Sequence, residues 1–203
     1  MFKKKPPSND KLTENFLRAY PPGPDLVKPD AEILKFGRKM LPPEILYLWE
    51  TYGFGSYGDG ILKLVDPRDY MESLYKWLGK TDQTRIPILV SAFADLFYYR
   101  KLEQGESDVS LLDIHYGNIS VCAWSCERFL NGFLLEESTR RELLREELYR
   151  EAVQALGPLK QNEAFFFVPA LFLGGGEKLK YVKKGDAAVH QEVLLYLRNR
   201  QPG

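Results

Sequence analysis

The sequence predicts an α+β protein: an antiparallel meander flanked by helices, with a small α+β C-terminal domain packed on it. Three observations lead there. Apolar residues recur at helical spacing over residues 41–52 and 67–78. The period then changes to short runs rich in Val, Ile, Phe, Tyr and Leu at 86–90, 93–100, 109–115 and 119–123. Beyond residue 135 a highly charged helical pattern takes over. The expected domain limits are 1–135 and 136–203.

In chain order, a short basic arm, expected to be mobile, precedes a first helix over residues 12–20. Leu12, Phe16 and Ala19 or Tyr20 form its inner face, and the run Pro21-Pro22-Gly23-Pro24 stops it. Asp30 then caps a short helix carrying Ile33, Leu34 and Phe36. Residues 41–66, LPPEILYLWETYGFGSYGDGILKLVD, read as helix, glycine-rich turn and strand. Pro42 and Pro43 suit a first helical turn, Ile45, Leu46, Leu48, Trp49 and Tyr52 make one stripe, and Gly53 ends it. Gly55, Gly58 and Gly60 leave the turn free to take positive φ, and residues 61–65 form a strand. Asp66-Pro67 opens the next helix, with Tyr70, Met71, Leu74, Trp77 and Leu78 inward and Gly79 as its stop. The two helices and the strand between them are expected to bury against one core.

In the meander, Gly117-Asn118 signals a two-residue hairpin, and the acidic loop 103–108, EQGESD, suits an exposed connection. Ser125 caps a helix to about residue 134. A longer helix follows over 136–156, with Leu143, Leu144, Leu148, Ala152, Ala155 and Leu156 as its stripe and Thr139 and Glu142 at capping-box spacing. Pro169 divides AFFFVPALFL, residues 164–173, into two strands or a strand and a turn, and the triple glycine 174–176 lets the chain reverse. Residues 179–183 read as a strand. Asp186 opens a last helix with Val189, Val193, Leu194 and Leu197 inward.

Composition narrows the function. At 203 residues, with 44% hydrophobic and 13% aromatic content, the chain can bury a sizeable core. Lys plus Arg equals Asp plus Glu at 28 each, so no global field recruits nucleic acid or a membrane. Two cysteines make no disulfide framework and read as buried reduced thiols. No stretch is long and apolar enough to span a bilayer, and a cytoplasmic location is expected. Gly53, Gly55 and Gly58 spell G-x-G-x-x-G, but a dinucleotide fingerprint needs its strand before the glycines and its helix after, the reverse of this order. Asp113 and His115 lie two apart on one predicted strand with no nucleophile placed beside them. Cys122, Cys126 and His115 fall short of a zinc ligand set. No catalytic set, cofactor site or metal site is expected.

The segment LPPEILYLWETYGFGSYGDGILKLVDPRDY with ESLYKWLG, and IPILVSAFADLFYY downstream, resembles the GAD-like domain of bacterial proteins. The resemblance rests on Pro42, Trp49, Gly53, Gly55, Gly58, Gly60, Pro67, Tyr70 and Trp77. Ala94 departs from it, standing where the family more often has glycine. The C-terminal part, with Pro169, Gly174, Gly175 and a helix containing His190, is similar to a small domain of unknown function that often follows the GAD-like one. Together they look like immunity proteins encoded beside DNase effectors of type VI secretion systems, with a more distant similarity to the SUKH superfamily. The resemblance implies a protein that binds a cognate toxin, a nuclease, and blocks it by occlusion without chemistry of its own. The alternative is a small-molecule-binding or regulatory module using the cleft between sheet and helices. Tyr57, Tyr98 and Tyr99, near turns, are the expected aromatic anchors. Asp59, Glu103, Glu106 and Asp108 are the acids expected to oppose a nuclease's basic groups.

Overall fold

The computed structural model describes residues 9–200; the basic arm expected at the N-terminus lies outside them up to residue 8. Seven helices are described: α1 (Asn9–Ala19), α2 (Ala31–Met40), α3 (Pro43–Thr51), α4 (Pro67–Leu78), α5 (Cys126–Asn131), α6 (Glu146–Leu156) and α7 (Ala187–Arg198). Strands β1 (Gly55–Tyr57), β2 (Leu62–Leu64), β3 (Arg85–Ser91), β4 (Leu96–Lys101), β5 (Ser107–Asp113) and β6 (Asn118–Ala123) form one antiparallel sheet in sequence order. Strands β7 (Glu163–Phe167) and β8 (Val182–Asp186) pair separately.

Local chemistry sets most boundaries as expected. Asp30 accepts the Ile33 N–H, Asp66 the Arg68 N–H, Ser125 the Arg128 N–H and Asp186 the Val189 N–H, each quieting a donor that the first turn leaves orphaned. Gly79 closes α4 in the left-handed region at φ 65°. Pro169 ends β7 and leads into a 3-10 turn, so the run there is a strand and a turn.

The sheet separates two apolar layers, because alternate residues of a strand face opposite ways. Phe97, Tyr99 and Leu111 join a layer with Phe16, Ile45, Trp49, Leu62 and Phe129, under α1, α3 and α5. Leu96, Tyr98 and Leu112 join the other with Tyr70, Leu74, Ala187 and Leu194, under α4 and α7. Helices α3 and α4 therefore lie on opposite faces and do not share one core as expected. The strand between them turns Leu62 and Leu64 one way, and Val65 sends the chain to the other side. The C-terminal sheet closes the end of the first: the Phe165 N–H donates to Ala92 O at 2.8 Å, and Phe165, Phe167 and Val182 join the α1 layer.

Four local expectations are corrected. The β5–β6 connection spans residues 114–117, four residues and not two, because the Asp113 carboxylate accepts the N–H groups of His115 and Tyr116 and turns the chain early. The helix expected from 136 is broken: a π-type turn, Thr139–Leu143, precedes α6, Thr139 makes no cap, and Arg145 between them is left-handed at φ 53°. Residues 179–181 form a 3-10 turn, and the strand begins at Val182. On α7, Val189 and Val193 face solvent, while Ala187, His190, Gln191 and Leu194 are buried. Gln191 tolerates burial because its amide donates to Ala94 O at 2.8 Å and accepts from Ser73 Oγ at 2.7 Å.

Candidate functional site

The residues expected to meet a partner are dispersed by the fold. Tyr57 is fully buried, its ring against Phe16 and its hydroxyl donating to Gly53 O at 3.0 Å. Tyr98 and Tyr99 are both buried, on opposite faces of β4. Asp108 is fully buried, gripped by the Arg100 guanidinium and accepting from Ser110 Oγ at 3.0 Å. As exposed contacts these four are corrected: the tyrosines supply core, and Asp108 neutralises an arginine. Glu103 and Glu106 do stand exposed on the β4–β5 hairpin, and Asp59 is exposed on the turn after β1. These acids do not meet. Leu62 pairs with Ser91 at one end of β3 and Arg85 with Arg100 at the other, so Asp59 and the hairpin lie at opposite ends of a strand about 20 Å long.

The glycine-rich turn is occupied by protein. Residues 21–27 run beside it, with Val27 and Phe54 exchanging hydrogen bonds at 2.8 and 2.9 Å and the Gly58 N–H donating to Pro21 O at 2.9 Å. A Cβ at Gly53, where φ is 113°, would lie 2.5 Å from Val27 O. The glycines serve close chain approach, and the N–H groups of Phe54 and Gly58 that a phosphate would use are spent on carbonyls.

A charged cluster sits where the two sheets meet. Arg145 is almost fully buried and donates to Asp95 Oδ2 at 2.9 Å, Leu143 O at 3.0 Å and Glu177 Oε1 at 3.0 Å, over the rings of Phe93 and Phe167. These bonds offset the cost of its left-handed backbone, about 1–2 kcal/mol. His115 beside it bonds Phe93 O through Nε2 at 2.8 Å, and its Nδ1 has no partner among the described residues. Burial, then the nearby Arg145 charge, push its pKa down to about 4. Burial, then His115, hold His190 at about 4 as well. Both imidazoles are therefore neutral at pH 7. Burial pushes the Cys122 thiol up to about 12 and Cys126 well above the usual thiol value, which keeps both protonated and unreactive. Among the described residues no group of three or more His, Cys, Asp or Glu side chains is placed to hold a metal ion.

What the surface does offer lies beside the acidic hairpin. Lys101 pairs with Ser107 and Val109 with Ala123, so the hairpin and the residue after β6, Trp124, project from the same end of the sheet. Trp124 is 64% exposed and lines a groove with Cys122, Glu127, Arg128, Phe133 and Glu136. Along β6, Ile119 is 53% and Val121 42% exposed. Apart from Cys122, read as a buried thiol, none of these was singled out from sequence. The available signal was a tryptophan between a strand and the N-cap of Ser125, a place that the periodicity of neither element needs to bury.

The comparisons come from different parts of the chain. A family model described as GAD-like domain matches residues 11–111, and one described as T6SS immunity protein Tdi1, C-terminal, matches residues 123–197. No curated protein matches the sequence. Among solved structures, the crystal structure of Atu4351 from Agrobacterium tumefaciens superposes with a TM-score of 0.72 over 90% of this chain and 87% of that one, at 15% identity. That likeness concerns the fold. Two consecutive family matches over most of the sequence place the chain in a family: it belongs to the GAD-like proteins that end in the C-terminal domain of the type VI secretion immunity protein Tdi1.

Proposed function

We propose that the protein binds a cognate toxin, a DNase effector of a type VI secretion system, and neutralises it in the cytoplasm by covering its substrate cleft, with no chemistry of its own. The observation that carries this beyond the family is the coincidence of an exposed tryptophan with exposed acids. Glu127 and Glu136 line the groove of Trp124, and Glu103 and Glu106 stand exposed on the hairpin at the same end of the sheet. A nuclease cleft holds phosphates with basic side chains, so local acid complements it even though the chain has no net charge. The alternative, a small-molecule module, draws less support. The cleft of about 400 Å³ between β2 and α4 contains Lys63, whose ammonium is already spent on the carbonyls of Lys160, Gln161 and Glu163 at 2.6, 3.0 and 2.7 Å.

The test takes as its probe the candidate effector read from the genes that flank this one, catalytically inactivated for binding and active for protection. Reversing Glu103 and Glu106 to lysine should slow association by roughly threefold or more at low salt, with the difference shrinking as salt screens charge beyond about 8–10 Å. The urea midpoint should not move, since both side chains are exposed and neither forms an ion pair among the described residues. Equal association rates at both ionic strengths would remove the hairpin from the interface. Failure of the wild-type chain to bind the effector or protect cells from it would remove the function.

A further inference from the structure

The six-stranded sheet has two edges, and they are treated differently. Along β1, residues 21–27 supply cover: Gly23 N–H donates to Ser56 O at 2.8 Å, and bridges join Pro22 to Tyr57 and Val27 to Phe54. Along β6 the only described neighbour is β5. Every second residue of an antiparallel edge strand directs its N–H and C=O outward, so β6 presents a row of unused backbone donors and acceptors. Natural edges are normally defended by charge, proline or brevity. Strand β6, NISVCA, has six residues, no charge and no proline. Its one irregularity, the extra residue Cys122 opposite the Val109–Ser110 step, leaves residues 118–121 in unbroken register.

Both faces of β6 are open over residues 118–121, while Cys122 and Ala123 pack on the α5 side. Ile119 and Val121 pair with Leu112 and Ser110 and share their face, where α4 and α7 lie over the preceding strands and no β6 side chain joins the buried layer. Asn118 and Ser120, on the other face, are also exposed. Tyr116, 47% exposed, and Trp124 stand at the two ends as rigid aromatic side chains of the kind that anchor interfaces.

We infer that β6 receives a β-strand of the toxin, which adds to the sheet as a seventh strand. This rests on the reading of the chain as an immunity protein and says how it engages its partner. Charge selects the occupant: Glu127 and Glu136 line the Trp124 groove against Arg128, and Glu103 and Glu106 add exposed acid on the hairpin at the same end of the sheet. The incoming strand is therefore apolar opposite Ile119 and Val121, polar opposite Asn118 and Ser120, and basic where it reaches Trp124. An arginine there would gain both the indole face and the carboxylates. A second copy of this chain brings no such base on its own β6. The strip, about 20 Å long and about 10 Å across, is also well short of the roughly 800 Å² per partner that a stable interface buries. A toxin that also covers Trp124 and the acidic rim reaches that area.

The experiment is amide hydrogen exchange on the full chain, free and saturated with the inactivated effector. Alternate amides within residues 118–122 should exchange at least about tenfold more slowly in the complex, a pattern that burial of side chains alone does not produce. The double variant Ile119→Lys/Val121→Lys should weaken binding at least about tenfold at an unchanged urea midpoint, since both side chains are exposed in the free protein. Unchanged exchange of β6 in a saturated complex, or wild-type affinity of the double variant, would overturn strand addition while leaving immunity intact. Protection of β6 that grows with concentration of the free chain would assign the edge to a second copy and overturn the toxin as occupant. No binding by the wild-type chain would remove the immunity reading and this inference with it.

Discussion

Acid should destabilise this protein well before its carboxylates are exhausted, and two histidines set the window. His115 and His190 are buried with their rings 6.2 Å apart, His190 stacked on Phe166 at 4.1 Å, and each has one ring nitrogen without a partner among the described residues. Protonating either adds charge next to Arg145 or to the other imidazole. Each folded pKa, about 4, lies below the ordinary 6.5, so the stability contributed is complete above 6.5 and is lost as pH falls toward 4. At about 1.36 kcal/mol per pH unit the difference is worth about 3 kcal/mol for each histidine, and at most about 6 for the pair. Typical domains have about 5–15 kcal/mol in total. Two neighbours oppose the loss. Burial raises the pKa of Asp95 and Asp113, so both add stability as they protonate and blunt the fall. Urea midpoints measured from about pH 7.5 to about pH 4.5 should therefore drop steeply below 6.5. His190→Phe, which keeps an aromatic ring on Phe166 and discards one titration, should lessen that slope by about half. A midpoint that stays flat between 6.5 and 4.5, or a slope that His190→Phe leaves unchanged, would refute the account.

Two further outcomes follow from packing. Trp49 is fully buried, edge-on to Phe54 at 4.9 Å, so Trp49→Ala should cost about 3–5 kcal/mol by urea denaturation; Trp49→Phe, which also discards an indole N–H with no partner among the described residues, should cost less than half of that. Arg145→Ala would strand the Asp95 carboxylate in a fully buried site, costing about 3–5 kcal/mol at neutral pH, and the deficit should shrink in acid as Asp95 protonates; a pH-independent deficit would show that packing on Phe93 and Phe167, and not charge, is what Arg145 contributes.

Much of this architecture was legible in one dimension, because the signals are local. Asp30, Asp66, Ser125 and Asp186 announce helix starts through a bond made within three residues, and Gly79 announces a stop through its own backbone. The change of period from helical to alternating marked the meander for the same reason. The family resemblance was legible as well, since it rests on turn glycines and helix-opening prolines whose roles are local. Ala94 shows the limit: it sits at φ 67°, a conformation that favours glycine, yet the need for that angle appears only once the β3–β4 turn exists.

Tertiary structure alone decided which faces are inside. Alternation says that Tyr98 and Tyr99 point opposite ways, but only helices on both sides of the sheet bury both. The aliphatic pattern of α7 favoured Val189 and Val193 as its inner face. Partners from distant segments, Ser73 and Ala94, made burial of Gln191 cheap and turned the helix the other way. Asp108 reads as a loop acid until Arg100, eight residues earlier, is brought across the hairpin to neutralise it. The open edge of β6 is likewise invisible in its sequence, because exposure there means that no other described segment comes to cover it. Burial is a sum over the whole chain, so a residue's own type and spacing can suggest it but cannot determine it.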